Sequence, residues 1–378
     1  MIAWDRRVLR QVELARRLYS VDVIAFGEWH PPEGVRYFRV DKTQRNTLKK
    51  AEYILSLFVG RKFHSAYEHA FWMHREYVSA LEILVREKYQ LIQANDWNSL
   101  PVAVKAARAV GTPVLFDAHE YSLTEDADNP LWRFLIVPYR EYLYQFYQPV
   151  SAMITVADGI RDLYTERFNW EMDIILNAPP YTRSAYHPTS PQQVRIVHHG
   201  GALKTRRLED FVYLTSMLDN RYELYFYLLP SQPAYLNSII ELSKRIAPNR
   251  VHFLDPLPPQ SLIEELSRFD IGIPLLSVNQ STYFNALPNK FFDFIMSGLA
   301  IAVSPLPMMK KIVFENEVGI VSKDQSYQSM ARVLNTLSAD EINRYKLNSL
   351  ELAKRMNAET ENEKLLNIYE KIIATGIN

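Results

Sequence analysis

Residues 274–305 read PLLSVNQSTYFNALPNKFFDFIMSGLAIAVSP and combine a strand, a polar loop, a helix and a second strand. The apolar runs 271–276 and 299–304 predict the two strands. Pro288 is suited to open the helix, because its missing N–H would lack a partner there anyway, and Gly298 is suited to end it. The loop 277–287 therefore joins the carboxyl end of a parallel strand to a helix N-terminus, where α/β sheets bind ligands and phosphate. The alternative is an ordinary crossover that binds nothing.

Strands alternate with helices along most of the chain, which predicts parallel, doubly wound sheets. Residues 179–192 interrupt the pattern with prolines among polar residues, and we interpret them as a linker between an N-terminal domain, 1–178, and a second domain, 193–356. The predicted strands are 21–26, 35–40, 89–94, 113–116, 151–156 and 172–176, then 194–198, 223–228, 251–254, 271–274, 299–304 and 318–321. The predicted helices include 5–19, 46–59, 63–87, 158–168 with Asp158 as its cap, 207–218, 259–269 and 359–373.

Composition excludes several classes of protein. The 43 basic and 43 acidic residues cancel, so no global field attracts nucleic acid. The chain has no cysteine, which excludes disulfides and thiol catalysis and fits a reducing compartment such as the cytoplasm. Residues 1–10 contain no secretory apolar region, and no apolar run is long enough to span a membrane.

The turn and helix at 288–298 resemble the nucleotide-sugar motif of glycosyltransferase family 4, which has the two-domain GT-B architecture. Pro288, Asn289, Lys290, Asp293 and Gly298 match its layout. The family usually carries two glutamates eight positions apart, and here those positions hold Asn285 and Asp293. The resemblance implies two Rossmann-like domains that face each other across a cleft, with C-terminal helices, here 357–378, that pack back towards the N-terminal domain.

The segment His198-His199-Gly200-Gly201-Ala202 ends the first strand of the second domain, and Lys204, Arg206 and Arg207 follow it. Glycines let a ligand approach the backbone closely, and arginine can hold a diphosphate by paired hydrogen bonds. By pattern alone, solvated basic residues are an equal alternative. The resemblance implies that Gly200 and Gly201 form the donor turn and that Arg206, with Arg207 as second choice, binds the donor diphosphate.

Two further positions are candidates for donor contacts. Asp117, His119 and Glu120 form a polar cluster at the end of a predicted strand. A lone histidine is more often structural, but the resemblance implies that His119 faces the donor sugar. It also implies that backbone near Leu257 binds the nucleobase, although a plain proline turn explains that segment equally well.

The implied reaction transfers a sugar from a nucleoside diphosphate sugar, with a UDP-sugar as first choice, to a hydroxyl of a glycan or lipid-linked glycan with retention of configuration. Arg206, Lys290 and the N–H groups near Asn289 would stabilise the departing diphosphate. Asp293 would accept hydrogen bonds from the ribose, and Asn285 would contact a sugar hydroxyl. The implied reaction requires no metal or other cofactor, and it requires no protein base, because the leaving phosphate can take the acceptor proton.

One departure concerns the N-terminus. The family begins with a strand and a glycine-rich loop before the helix that here starts at Asp5, and only residues 1–4 stand there. Either the first strand is missing, the start is misplaced, or the N-terminal sheet is one strand short.

The first predicted helix also carries Arg6, Arg7, Arg10, Arg16 and Arg17 beside an apolar stripe. These arginines indicate either a solvated face or a basic helix that rests on anionic lipid at the cytoplasmic membrane surface.

Two other functions remain as alternatives. Asn285 and the short N-terminus suit a catalytically weak GT-B partner or scaffold in polysaccharide assembly. A nucleotide-sugar epimerase shares the architecture and would act without an acceptor.

Overall fold

The computed structural model describes residues 5–43, 46–123, 129–148, 151–277, 284–285 and 287–376. The chain divides into two compact units. The first comprises the residues up to Ile175 together with those from Asn362 onwards, and the second comprises Leu176–Glu361.

The first unit has two parallel sheets. One pairs β1 (Val21–Phe26) with β2 (Val35–Val40). The other has the order β3 (Ile92–Asn95), β4 (Val114–Ala118), β5 (Ala152–Thr155) and β6 (Asp173–Ile174). The predicted alternation is confirmed, but the sheet is not continuous, because β1 and β3 do not pair with each other in the part of the chain that is described.

The helices of the first unit are α1 (Arg6–Ala15), α2 (Thr47–Gly60), α3 (Ser65–Trp72), α4 (Arg75–Glu87), α5 (Leu100–Val110), α6 (Pro130–Phe146) and α7 (Asp158–Phe168). The apolar stripe of α1 is used for packing, since Val12 joins Val23 and Val35 in one buried cluster and Leu14 joins another. Burial of this stripe fixes α1 against the strands.

Two predictions for these helices are wrong. The predicted helix 63–87 is two helices, because His74 has an extended backbone and the N–H of Arg75 donates to Thr43 Oγ1, a long-range partner that starts α4. Asp158 does not cap α7 but is its first helical residue, and Ala157 occupies the cap position.

The second unit is built on a six-stranded parallel sheet of order β12-β11-β10-β7-β8-β9. Its strands are β7 (Val194–Gly201), β8 (Tyr222–Leu229), β9 (Val251–Leu254), β10 (Ile271–Gly272), β11 (Ala300–Val303) and β12 (Gly319–Val321). The position of β7 inside the sheet places its carboxyl end between two neighbouring strands.

Seven helices accompany this sheet among the described residues: α8 (Leu208–Met217), α9 (Pro233–Ile246), α10 (Leu262–Leu266), α11 (Asn289–Met296), α12 (Pro307–Asn316), α13 (Tyr327–Thr336) and α14 (Ala339–Ala353). The last helix, α15 (Ala358–Gly376), follows them and lies mostly in the first unit. The sequence pattern misses α12 and predicts a longer α10. The predicted linker 179–192 is irregular, yet Ser184 Oγ donates to Met296 O (2.9 Å) and Thr189 Oγ1 donates to Asp270 Oδ1 (2.9 Å) within the second unit.

Two glycines determine how α11 ends and how it packs in the strand–helix–strand segment 271–303. Gly298 has φ +69° and ends α11, where its N–H donates to Ile295 O (3.0 Å) and that of Leu299 donates to Phe294 O (3.1 Å). A Cβ on Gly272 would lie 2.4 Å from Cγ of Phe294, so α11 packs on the sheet where β10 has no side chain. The residues 278–283 and 286 of the intervening loop lie outside the described residues.

The last helix begins in the second unit and completes the core of the first. Leu365, Ile368, Tyr369 and Ile372 of α15 share a buried cluster with Leu14, Leu115, Ile154 and Ile175. The predicted packing of the C-terminal helix on the N-terminal domain is confirmed. Of the helices formed by the described residues, none is long and apolar enough to cross a bilayer.

Candidate active site

A glycine with a left-handed backbone at the end of β7 brings two basic side chains together. Gly200 has φ +129°, a conformation that L side chains rarely adopt. A Cβ at this position would lie 2.6 Å from Nη1 of Arg206 and 3.2 Å from Nζ of Lys290. Glycine is therefore required both by the backbone and by the close approach, which brings the distant Lys290 to residues 200 and 206 of the same turn.

Lys290 is held by a buried histidine. Its Nζ lies 3.2 Å from Nε2 of His198, whose Nδ1 donates to Ile273 O (2.8 Å). Burial, followed by the charge of Lys290, lowers the pKa of His198 well below its usual value, so the ring is neutral and its Nε2 accepts a hydrogen bond from Nζ of Lys290. Burial, followed by the charge of Arg206, also lowers the pKa of Lys290 well below its usual value. An anion that bound beside Lys290 would raise this pKa again.

The N-terminus of α11 adds partial positive charge beside Lys290. Pro288 is the N-cap residue, and its side chain makes no capping hydrogen bond. Asn289 is exposed as the first helical residue. A helix start without a side-chain cap leaves its first N–H groups and the dipole available to an anion.

Asp293 lies one turn further along α11 and is buried. Its Oδ2 is 3.4 Å from Nε2 of His199, whose ring contacts Phe294 edge-on. The two adjacent histidines of β7 thus contact two residues of α11: His198 contacts Lys290, and His199 lies close to Asp293. The sequence pattern predicts no role for either histidine, and the one indication of such a role is their position directly before Gly200.

The two neighbouring arginines have different surroundings. Arg206 is half-buried, and its Nη1 donates to Gly201 O (3.3 Å). Arg207 has φ +48° and donates to both carboxylate oxygens of Asp210, from Nε (2.8 Å) and Nη2 (3.2 Å). The Arg207 guanidinium therefore has an anionic partner within its own helix, whereas Arg206 points to the Gly200–Lys290 group.

The other predicted donor residues are less closely linked to this group. A Cβ on Gly201 would lie 2.8 Å from Ser231 Oγ, so this glycine too permits a close approach. Leu257 is half-buried in the irregular segment after β9, and Asn285 is half-buried in a bend. Within the described ranges no hydrogen bond or ion pair joins Leu257 or Asn285 to Arg206 or Lys290. No group of three or more His, Cys, Asp or Glu side chains among the described residues could hold a metal ion.

His119 lies in the first unit, directly after β4, beside a buried ion pair. Asp117 is within β4 rather than after it, and its carboxylate accepts from Nε and Nη2 of Arg7 at 2.8 Å each and from Gln11 (2.5 Å). His119 Nε2 is 3.4 Å from Asp117 Oδ2, and its Nδ1 is 3.7 Å from Asp96 Oδ1. Of the predicted polar cluster, Asp117 and His119 therefore lie together at a buried centre, whereas Glu120 is exposed.

Arg7 does not belong to a surface face of α1. Its guanidinium is buried against Asp117, and Nη1 donates to Ile175 O (2.6 Å). Arg16 and Arg17 approach Glu13 instead. The interpretation of all five arginines as one exposed basic face is therefore wrong for Arg7.

The pKa values in this cluster predict a pH-dependent stability. Burial would lower the pKa of His119, but the Asp117 carboxylate outweighs burial and raises that pKa to about 9. A group whose pKa is raised from about 6.5 on folding stabilises the folded state fully below pH ~6.5, and this contribution of about 3 kcal/mol is lost as the pH rises through about 9. His119→Gln should remove this part of the pH dependence, whereas the exposed control His69→Gln should retain it.

The measurement is urea unfolding followed by tryptophan fluorescence, because all six tryptophans of the chain lie outside the second unit. An equal loss of stability between pH 6 and pH 9.5 in the parent and in His119→Gln would contradict the assignment of that loss to His119.

Comparison with known proteins gives the family of the first unit. Residues 11–178 match a family model described as Glycosyltransferase Family 4. These residues are a glycosyltransferase family 4 domain. The predicted family and the predicted class of enzyme, a glycosyltransferase, are thereby confirmed, although the 288–298 motif on which the resemblance rested lies outside the matched residues. No curated protein matches the chain in sequence.

Solved structures extend the likeness to both units. The crystal structure of Anabaena Alr3699/HepE in complex with UDP is 12% identical, with a TM-score of 0.70 over 96% of this chain and 95% of that one. An E. coli trehalose-6-phosphate structure bound with UDP-2-fluoroglucose is 10% identical, with a TM-score of 0.67 over 96% and 94%. TarM is 13% identical, with a TM-score of 0.60 over 78% and 58%. At these identities the likeness establishes the fold, which is GT-B as predicted.

Proposed function

We propose that this protein, whose residues 11–178 match Glycosyltransferase Family 4, is a retaining enzyme that moves a sugar from a UDP-sugar to a hydroxyl of a glycan or lipid-linked glycan in the synthesis of a surface polysaccharide or glycolipid. The observation that carries the proposal is the convergence of Arg206 and Lys290 on the side-chain-free Gly200. The UDP and UDP-sugar complexes of structurally similar proteins support the choice of donor.

The chemistry follows from the charge that develops as the glycosidic bond breaks. The departing diphosphate gains negative charge, and donors that are already in position stabilise it without reorganisation. Arg206 offers a planar fork of N–H donors, Lys290 a compact ammonium, and the start of α11 its backbone N–H groups. His198 fixes Lys290 in this arrangement through the 3.2 Å contact, so its position does not depend on the ligand. In this proposal no metal is needed to neutralise the leaving group.

Other residues have roles that rest on the family resemblance. Asp293 accepts hydrogen bonds from the donor ribose, and Asn285 contacts a sugar hydroxyl through an amide that can both donate and accept. Leu257 offers backbone groups to the nucleobase, and His119 contacts the donor sugar. The leaving phosphate takes the proton of the acceptor hydroxyl, which is the route compatible with retention when no protein base is present.

The first test is ligand-dependent stability followed by turnover. UDP at about 100 times its dissociation constant should add about 2.7 kcal/mol to the free energy of unfolding of the unit that binds it. GDP, ADP and CMP at the same concentration serve as controls. UDP-sugars and acceptors are then screened for release of UDP.

The outcomes separate the competing functions. Release of UDP that requires an acceptor supports the proposed enzyme. Binding of UDP without any release favours a scaffold, for which the amide of Asn285 at the usual glutamate position is the supporting observation. Interconversion of the sugar without an acceptor would indicate an epimerase, and the absence of a shift with any diphosphate would contradict a nucleotide site.

Proton uptake is expected when UDP binds. The pKa of Lys290 lies well below its usual value in the free protein, because of burial and of Arg206, and a bound diphosphate raises it. The affinity for UDP should therefore fall as the pH rises, and calorimetry in two buffers with different ionisation enthalpies should show a net uptake of protons on binding. Lys290→Met should abolish the uptake, while the exposed Lys204→Met should retain it. Identical binding enthalpies in both buffers would contradict this role.

A membrane contact is proposed for α2 rather than for α1. Exposed apolar side chains form one face of α2 and its C-terminal extension: Leu48, Ile54, Leu55, Phe58, Val59 and Phe63. The opposite side, with Leu57 and Gly60, is buried. We call the exposed apolar set the α2 surface.

Its charges favour an anionic bilayer. Lys49 and Lys50 stand at one end of the α2 surface and Arg61 and Lys62 at the other, and all four are exposed. An amphipathic face with a basic rim lies in the interface of anionic membranes, where each basic residue contributes about 1 kcal/mol. The surface would bring the enzyme to a lipid-linked acceptor.

Vesicles that contain anionic lipid test this contact. The protein should sediment with them at low salt and be released at high salt. Leu55→Ser with Phe58→Ser should reduce the bound fraction at least tenfold, whereas Leu347→Ser, which alters an exposed leucine of α14, should not. Failure of the parent to sediment at low salt would contradict the membrane contact.

A further inference from the structure

A chain of side-chain hydrogen bonds leads from the last helix to the carboxylate beside His119. The hydroxyl of Tyr369, on α15, donates to Oε1 of Gln93 on β3 (2.5 Å). Nε2 of Gln93 donates to Oε1 of Gln11 on α1 (2.8 Å), and Nε2 of Gln11 donates to Oδ2 of Asp117 on β4 (2.5 Å). Tyr369, Gln11 and Asp117 are buried. We call these four residues the Tyr369–Asp117 relay.

Each hydrogen bond of the relay has only one possible direction. An ionised carboxylate accepts hydrogen bonds but donates none, so Gln11 must turn its NH₂ group towards Asp117 and its oxygen towards Gln93. Gln93 must then present its own NH₂ group to Gln11, which leaves its oxygen for the hydroxyl of Tyr369. Burial, followed by the charge of Asp117, raises the pKa of Tyr369, so the phenol stays protonated and remains a donor. The charge of Asp117 therefore fixes the orientation of both amides and of the hydroxyl.

The carboxylate of Asp117 is held from a second side by Arg7. Nε and Nη2 of this arginine donate to the two carboxylate oxygens at 2.8 Å each, while its Nη1 donates to Ile175 O (2.6 Å). Oδ2 thus accepts from both Arg7 and Gln11, and it also faces Nε2 of His119 at 3.4 Å. Hydrogen bonds from α1 on both oxygens prevent rotation of the carboxylate, so the group next to the histidine ring has a fixed position.

The two sides of the His119 ring have different surroundings. Nε2 faces Asp117, whose side chain has no exposed surface. Nδ1 faces Asp96 (3.7 Å) and Asp5 (3.8 Å), whose side chains are 46% and 35% exposed. Carboxylates on both sides favour a proton on each nitrogen. The open side of the ring is consequently its Nδ1–H side, at the carboxyl end of β4, where parallel sheets bind their ligands.

We propose that Tyr369, Gln93 and Gln11 are positioning residues that act on His119 through Asp117 and hold the Nδ1 side of its ring towards the donor sugar. The contact with the sugar rests on the proposed function, whereas the action of the relay on the ring does not. A fully paired polar network in a low dielectric is rigid, and groups that contact a reacting substrate need such fixed positions. A core built for packing alone would place apolar side chains at these three positions. The docking of α15 therefore completes the support of His119 as well as the core.

The test removes single members of the relay from the full chain. Tyr369→Phe removes the first donor, and Gln11→Met replaces an amide by an apolar side chain of similar length. Tyr19→Phe is the matched control, because the ring of Tyr19 contacts that of Tyr369 edge-on (6.4 Å between centroids) and its hydroxyl is not part of the relay. Each protein is labelled with ¹⁵N-histidine, and the ring signals of His119 are assigned by their loss in His119→Gln. NMR at pH 7 without ligand gives the signals of both ring nitrogens.

Kinetics supply the second measurement, with the UDP-sugar and acceptor from which the parent releases UDP. The ring signals of His119 should move in Tyr369→Phe and in Gln11→Met but not in Tyr19→Phe. In the first two variants kcat should fall roughly tenfold, since misplacement of a group at the site costs up to about 10²-fold. The KM for the UDP-sugar should change less than about twofold, because the lost interaction is one that strengthens in the transition state.

The outcomes separate the relay from the proposed function. Ring signals of His119 that are the same in the parent, Tyr369→Phe and Gln11→Met would overturn the relay. Signals that move while kcat and KM stay at the parent values would overturn the positioning role in the reaction. A parent that releases no UDP would contradict the proposed function alone, because the ring signals are measured without substrate and still decide whether the relay acts on His119.

Discussion

Arg206→Ala is expected to weaken the binding of UDP by about 10- to 100-fold, because hydrogen bonds to a charged group contribute about 1.5–3 kcal/mol. The same substitution should leave the affinity for uridine unchanged, since the nucleoside lacks the phosphates that Arg206 is proposed to hold. Folding should be intact, because Arg206 is half-buried and its hydrogen bond to Gly201 O is long, at 3.3 Å. Calorimetric titration with UDP and with uridine measures both effects.

The neighbouring Arg207 provides the matched comparison. Its guanidinium is bound to the Asp210 carboxylate, so Arg207→Ala should reduce the affinity for UDP less than Arg206→Ala does, and should lower the stability of the second unit instead. A parent-like affinity for UDP in Arg206→Ala would remove this residue from the diphosphate site. An equal loss for UDP and uridine would indicate a general disturbance of the site rather than a lost phosphate contact.

Asp117→Asn is expected to destabilise the first unit by about 3–5 kcal/mol, because it leaves the buried Arg7 guanidinium without its anionic partner. Burial would raise the pKa of Asp117, but the charges of Arg7 and His119 outweigh burial and hold that pKa well below its usual value. The carboxylate therefore stabilises the fold above the ordinary aspartate pKa, about 3.9, and the contribution is lost as the pH falls below it.

The surface pair in the same helix is the control for this prediction. Glu13→Gln removes a partly exposed partner of Arg16 and should cost less than about 1 kcal/mol. The double variant Arg7→Met with Asp117→Leu should recover part of the loss, because it leaves no buried guanidinium without an anionic partner. Unfolding followed by tryptophan fluorescence reports on the first unit. A cost below about 1 kcal/mol for Asp117→Asn would mean that the ion pair does not stabilise it.

Local patterns were enough to predict most of the fold. The bounds of β1, β2 and β9 are the predicted ones, because short apolar runs between turn residues are decided locally. The break at His74 and the missed α12 were not predictable in the same way. The first depends on Thr43, which meets Arg75 only through tertiary structure. The second is a short helix, Pro307–Asn316, between two strands that has a weak apolar pattern.

In the candidate site too, the local motifs were predictable from the sequence and the tertiary contacts were not. The glycine turn, Arg206 and Lys290 were each predicted from motif positions, and the structure brings them together at Gly200. The contact between His198 and Lys290 joins residues 92 positions apart, and that between Arg7 and Asp117 joins residues 110 apart. Neither contact can be predicted from the residues around it in the sequence, because each depends on which strand ends lie side by side in the sheet.

The contribution of α15 to the core of the first unit bears on how the chain folds during synthesis. Ile175 has left the ribosome long before Leu365 to Ile372 are made, yet these residues are packed together. At 5–20 residues per second the delay is roughly 10–40 s. Until then the groove that receives α15 exposes Leu14, Leu115 and Ile154, so the N-terminal unit cannot finish folding first. Nascent chains stalled before residue 362 should therefore be the species most dependent on chaperones and most easily cleaved by protease.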